Sequence, residues 1–216
     1  MLGDYEALVN DMVRDHVDRI AADQLSRAIA LAVAQYSKDR PRKVIEDIAF
    51  ADGSISAPEG EIVSIELPIG NRPPSFLPAS AWEIYDTPAG ALLFVRAAGD
   101  ATARITFRRA HLLDAETDTV PATDREAVAS YAAAILFDQV AAATSGDGNP
   151  SIAADTVNHA AKPENYAKRA ERLRARYYDL IGLDPKRGKA ASVTVTRPVG
   201  DSGGGPRLQH GRRRIQ

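Results

Sequence analysis

The stretch LSRAIALAVAQYSKDRPRKVIEDIAF, residues 25–50, changes its hydrophobic period at Pro41, and that change decides the fold. Before the proline, Leu25, Ile29, Val33 and Tyr36 recur at spacings of three and four, with Ala28 and Ala32 beside them. Such spacing draws one apolar stripe along a helix. Pro41 stops that helix and pushes Arg40 out of the helical region of backbone space. After it, Val44, Ile48 and Phe50 share one parity, the period of a strand with one buried face. A chain that makes this switch and later reverses it is of the mixed α+β class.

Working outward, Tyr5, Leu8, Val9, Met12, Val13, Val17 and Ile20 form an earlier stripe, and Asp23 is placed to cap the helix that follows. Residues 1–41 therefore read as an N-terminal helix pair. The two-residue period continues over 42–111, a β module of four to five short antiparallel strands. Val63, Ile65, Leu67 and Ile69 share a parity, as do Ala103, Ile105 and Phe107. Trp82–Tyr85 and Leu92–Val95 flank Asp86-Thr87-Pro88-Ala89-Gly90, a hairpin turn. Between the strands, Arg72-Pro73-Pro74-Ser75-Phe76-Leu77-Pro78 is an extended connector, because its three prolines suit neither a helix nor a central strand.

Helix returns at 122, where Thr123 and Glu126 fit a capping box. Val128, Tyr131, Ala132, Ile135, Leu136 and Val140 carry the stripe until Ser145–Pro150 breaks it. Pro163 opens a last helix with Tyr166, Ala170, Leu173, Tyr177 and Leu180 on its apolar line, and Gly182 sits where a left-handed C-cap belongs. This second helix pair, 112–183, completes an amphipathic bundle of about four helices, with Tyr36 and Tyr131 in its core beside Val33, Val128 and Ile135. Beyond 184 the periodicity stops. Residues 184–216 read as an extended basic arm, with one short strand pattern at Ser192–Thr196 and a flexible joint at Gly203-Gly204-Gly205.

Composition narrows the chemistry. The 216 residues are 44% apolar and 26% charged, near globular averages. There is no cysteine, which removes disulfides, thiol nucleophiles and zinc ribbons together. Aromatics are only 6%, so alanine-mediated close packing is expected instead of a bulky core. Residues 184–216 hold eight Lys and Arg against Asp184 and Asp201, leaving 19 basic and 27 acidic residues elsewhere. The body is acidic and the arm basic. The longest uncharged apolar run, Ala127–Phe137, is shorter than the roughly 20 residues of a spanning helix. Early charges at Asp4, Glu6, Asp11, Arg14 and Asp15 interrupt any signal-peptide core. Cytoplasmic assembly without a membrane is the resulting expectation.

Motifs for catalysis do not emerge. His16, His111, His159 and His210 lack metal-ligand spacing and read as solvated or capping residues. Asp114, Glu116 and Asp118 alternate like the start of a calcium loop, but Thr119 and Arg125 stand where that loop needs glycine and a bidentate acid. Glu66 and Asp138 each resemble half of a carboxylate pair without a defined second half. No nucleophile elbow or phosphate-cradling loop occurs. The expectation is a protein that is not an enzyme and needs no cofactor or metal.

Two basic regions bear on partners. Lys168, Arg169, Arg172, Arg174 and Arg176 wrap the last helix, as a solvated face or a DNA-binding one. In the arm, Arg207, His210, Arg212, Arg213 and Arg214 follow the glycine joint. They read as a solvated tail, a phosphate-neutralising arm, or a segment that orders across a partner protein. Val193 and Val195 favour the third reading, since a purely electrostatic tail has no use for a β-branched strand pattern.

Three stretches together resemble a family of tailed-phage and prophage virion proteins. Ala28–Pro41 is similar to an early helix of that family, Asp118–Ala129 to the start of its third helix, and Ser151–His159 with Tyr166–Ala170 and Tyr177–Leu183 to its last helix. Arg207–Arg214 is similar to the basic ends of such proteins. The resemblance covers the helical parts and the β module only in outline. It implies a head–tail connector adaptor or head-completion protein of the neck: a ring beneath the portal, joining it to lower neck or tail-terminator proteins. The implied partners are the portal, reached by the C-terminal arm, and other copies of the chain. The implied ring has about twelve copies, with DNA sliding through a channel unread. A DNA-binding accessory protein using the basic tail, or another tail-completion protein, remains the alternative.

Overall fold

The computed structural model describes residues 1–14, 20–96, 98–145 and 162–184. The chain clusters into one compact unit, Met1–Leu183, and a second segment, Asp184–Gln216. In the compact unit the helices are α1 (Leu2–Val13), α2 (Ala22–Asp39), α3 (Arg125–Thr144) and α4 (Lys162–Leu180). Between α2 and α3 run β1 (Arg42–Ala49), β2 (Ser54–Ser56), β3 (Glu61–Glu66), β4 (Trp82–Thr87), β5 (Gly90–Val95) and β6 (Thr102–Arg109). The fold is α+β, a helical bundle with an inserted antiparallel β module.

The first helical stripe is the expected one: Tyr5, Val9 and Val13 of α1 are buried, with Leu8 and Met12 packed beside them. Val17 lies outside the described residues. α2 buries Leu25, Ala28, Ile29, Ala32, Val33 and Tyr36, and ends where Arg40 turns to φ −136° ahead of Pro41. Its start departs from expectation. Gln24, not Asp23, caps it: Gln24 Oε1 accepts the Ala21 amide at 3.1 Å. Asp23 already stands inside the first turn, where it pairs with Arg27 at 2.9 Å.

α3 is the centre of the bundle, packed against α4, α2 and α1. No residue from Ala127 to Val140 is exposed. The single stripe anticipated there is therefore incomplete, because a helix apolar on all sides is one surrounded by others. Five alanines and Ser130 among its buried residues let neighbouring backbones approach closely. α3 also has the length and hydropathy of a membrane-crossing segment, but neighbouring helices cover it here. The expected capping box is absent. A turn of 3₁₀ helix over Ala122–Asp124 delays the start of α3 to Arg125, so Thr123 Oγ1 donates to Asp124 and Glu126 reaches Arg176. Tyr131 and Ile135, expected in the core, are half-buried at its margin, Tyr131 meeting Tyr177 edge-on at 4.9 Å between ring centres.

α4 has Pro163 in its first turn and closes as anticipated. Gly182 adopts φ +65°, its amide donates to Asp179 O, and the Leu183 amide donates to Tyr178 O. This is the paired hydrogen-bond pattern of a Schellman cap.

The β module holds six strands, one or two more than anticipated, in two three-stranded sheets ordered β1-β6-β3 and β2-β5-β4. β2 is only three residues long and carries no alternation of its own; pairing with β5 makes it a strand. The inner faces share a second core of Phe50, Ile62, Ile65, Leu93, Val95, Ala103, Ile105 and Phe107. The β4–β5 hairpin turns at Pro88-Ala89 as expected, with Thr87 opposite Gly90. In β3 the expected parity fails. A bulge between Ile62 and Ser64 turns both Ile62 and Ile65 inward and leaves Val63 exposed. The proline-rich connector lies along the outer edge of β3, where the Leu67 amide donates to Ser75 O and the Leu77 amide to Ile65 O.

Candidate functional site

The expected partner-binding residues Val193, Val195, Arg207, His210, Arg212, Arg213 and Arg214 lie outside the described residues, as do His16 and His159. What the structure does place is the polar junction of helices and β module, and the basic face of α4.

The junction is built around Asp124 and His111. Tyr36 donates its phenol proton to Asp124 Oδ2 at 2.5 Å, and Arg40 Nη1 lies 3.3 Å from the same oxygen. Arg40 Nη2 donates to Ile181 O at 2.5 Å, tying the end of α2 to the cap of α4. Tyr177 donates to Asp39 at 2.6 Å, and Tyr5 faces Asp118 at 3.3 Å. Burial first, then the adjacent carboxylate, pushes the ionisation of Tyr5, Tyr36 and Tyr177 well above the usual phenol range. His111 is neither solvated nor a helix cap. It is buried, its Nδ1 is 2.8 Å from Thr119 O and its Nε2 2.9 Å from Arg40 O, while its amide donates to Ser37 Oγ. A lone histidine between two apolar residues carries no sequence signal for such a place.

The acidic positions are consumed locally. Asp114 Oδ1 accepts the amides of Thr117 at 2.6 Å and Glu116 at 2.8 Å, bonds that hold its carboxyl below the usual range. Asp118 accepts the Val120 amide and pairs with Arg125 at 2.7 Å. Glu66 receives the Gly70 amide at 3.1 Å and lies 3.8 Å from Arg104; Asp138 pairs with Arg174. Each of the two faces a cation among the described residues. Among the described residues no three His, Asp or Glu side chains are grouped to hold a metal ion.

On α4, Lys168 pairs with Glu164 at 2.6 Å, Arg174 with Asp138, and Arg176 with Glu126. Arg169 donates to Met12 O and lies over the Phe137 ring at 4.6 Å. Of the five basic residues, Arg172 alone has no partner among the described residues. Lys168, Arg169, Arg172 and Arg176 line a groove of about 780 Å³ with Asp11 and Met12 of α1. Most of this charge fastens α4 to α1 and α3, which leaves little of it for phosphate. No protein-family model matches the chain, and no curated relative was found.

Proposed function

We propose that this chain is a virion structural protein of the phage neck: an adaptor ring that joins the portal to tail or lower neck proteins, with its C-terminal arm docking on the portal. The observation that carries the reading is convergence. Of the stretches that resemble the neck family, Ala28–Pro41 forms most of α2 and its stop, Asp118–Ala129 the entry to α3, and Tyr166–Ala170 with Tyr177–Leu183 parts of α4 and its cap. All three meet in one bundle around α3; Ser151–His159 lies outside the described residues. Two physical features support it. Alanine-lined helices suit close packing, and an acidic body repels the phosphates of DNA that must slide past it.

The basic arm then supplies the attachment. Arginine pairs desolvated at an interface contribute strongly, and ring symmetry repeats the contact in every copy. The test is deletion of residues 201–216 in the phage or prophage that encodes the chain. The truncated protein is expected to fold and self-associate, yet to yield DNA-filled heads that do not join tails. Normal yields of infectious particles would overturn the reading.

A further inference from the structure

The strand charges of the β module are sorted in an unexpected way. Asp47 and Glu66 face Arg104, Glu61 pairs with Arg108 at 3.4 Å, and Glu46 with Arg109 at 3.1 Å. Among the described residues, the charged strand positions without an ionic partner are Arg42 and Lys43 on β1, and Glu83 and Asp86 on β4. The unmatched cations sit on an edge strand of one sheet, and the unmatched anions on an edge strand of the other.

The cationic edge is also electrostatically poor as it stands. In the β1–β6 ladder, Arg42 lies opposite Arg109 and Lys43 opposite Arg108, and like charges directly across a ladder are destabilising. The Arg42 Nε is buried with no hydrogen-bond partner among the described residues. Both edges carry exposed apolar side chains besides: Ile45 on β1 is 55% exposed, and Ile84 and Tyr85 on β4 are 51% and 64% exposed. Natural sheets protect an open edge by brevity, a bulge, a proline, charged side chains or a covering segment. The other two edges have such protection, since β2 is three residues long and β3 carries both a bulge and the connector. Among the described residues β1 and β4 rely on charged side chains alone, and the unmatched ones are of opposite sign, so each edge repels a copy of itself and admits the other.

We propose that β4 of one copy pairs with β1 of the next, so that the chain self-associates head to tail through its β modules. An antiparallel alignment that sets Asp86 opposite Arg42 brings Ile84 opposite Val44. It leaves Glu83 opposite Ile45, and no carboxylate faces another. The contact uses two different surfaces of one chain, so it is heterologous and generates a ring wherever the rotation between copies closes. It would supply the lateral contact of the neck ring and rests on that reading for its role, though not for its chemistry.

The test uses charge reversal on the full chain, with mass measured by native mass spectrometry and light scattering. The wild-type protein is expected to form oligomers. Glu83→Arg with Asp86→Arg, and separately Arg42→Glu with Lys43→Glu, are each expected to weaken self-association by about tenfold or more. Mixing the two variants is expected to restore it, because each now offers the edge that the other needs. The milder Glu83→Gln with Asp86→Asn keeps the test open should reversal disturb folding, and is expected to weaken association to a smaller extent. A monomeric wild type, edge variants that assemble like wild type, or a mixture that stays dissociated overturns the proposal. If edge variants still assemble while arm deletion blocks head–tail joining, the strand contact is wrong and the neck reading stands. If the edges behave as expected but arm deletion leaves infectivity intact, the neck reading fails and the contact stands.

Discussion

Tyr36 and Asp124 stand 88 residues apart in sequence and are joined by a 2.5 Å hydrogen bond, phenol to carboxylate, with the whole β module threaded between them. The bond links the end of α2 to the entry of α3, so the inserted module leaves and re-enters the bundle at one fastened point. Three phenol–carboxylate pairs of this kind, from Tyr5, Tyr36 and Tyr177, tie the helices together.

Removing only the hydroxyl, Tyr36→Phe, leaves a buried carboxylate short of a donor and is expected to cost about 1–3 kcal/mol. Tyr36→Ala adds a cavity and is expected to cost about 3–5 kcal/mol. Tyr131→Ala should cost clearly less, because Tyr131 is half-buried. Urea unfolding midpoints measure all three. A Tyr36→Phe protein as stable as wild type would remove the pair from the stability of the fold.

The same phenols set the alkaline limit. Their ionisation is raised in the folded state, by burial first and by the neighbouring carboxylates next. An acid whose folded pKa lies above its unfolded one contributes stability that is complete below the unfolded value, about 10 for tyrosine, and is lost as pH rises beyond it. The tyrosinate absorbance of Tyr5, Tyr36 and Tyr177 should therefore appear only together with unfolding. A single smooth titration of all seven tyrosines, with the protein still folded, contradicts the burial described here.

Gly60 precedes β3 with φ +113°, and a Cβ there would lie 2.4 Å from the backbone oxygen of Arg108. Gly60→Ala thus meets both a backbone strain and a clash that no side chain can relieve, and is expected to cost at least about 1–3 kcal/mol. Gly3→Ala in α1 meets nothing within 4 Å and should be neutral or mildly stabilising, within about 0.5–1 kcal/mol. Thermal unfolding of the two variants side by side reads the contrast. Equal midpoints would show that the turn at Gly60 relaxes freely.

What was legible in the sequence is what periodicity and punctuation encode. Pro41, Pro163 and Gly182 end or open helices by local backbone chemistry, and the parity of Ala103, Ile105 and Phe107 needs no partner to be read. The misreadings share another origin. Val63 lost its parity to a bulge that the pairing with β6 imposes, and β2 exists only because β5 lies beside it. Thr123 was offered a cap that a preceding 3₁₀ turn displaced. The burial of His111 depends on carbonyl groups of Arg40 and Thr119, the former 71 residues away. The unmatched edge charges of β1 and β4 were likewise invisible until strand order showed which strands lie outermost.

α3 also governs where this chain is free to change. From Ala127 to Val140 it presents no exposed position, and its commonest contact residue is one for which nearly every replacement adds volume. A larger side chain there must displace a neighbouring helix, and overpacking a filled core costs roughly 1–3 kcal/mol per site, a substantial share of the whole stability of a domain. Neutral drift along α3 is thereby nearly closed, whereas the outward strand faces and exposed loops of the β module accept exchange at less cost. Divergence among descendants of this sequence should accumulate in the exposed loops and outward faces of the module, around a helix that hardly alters.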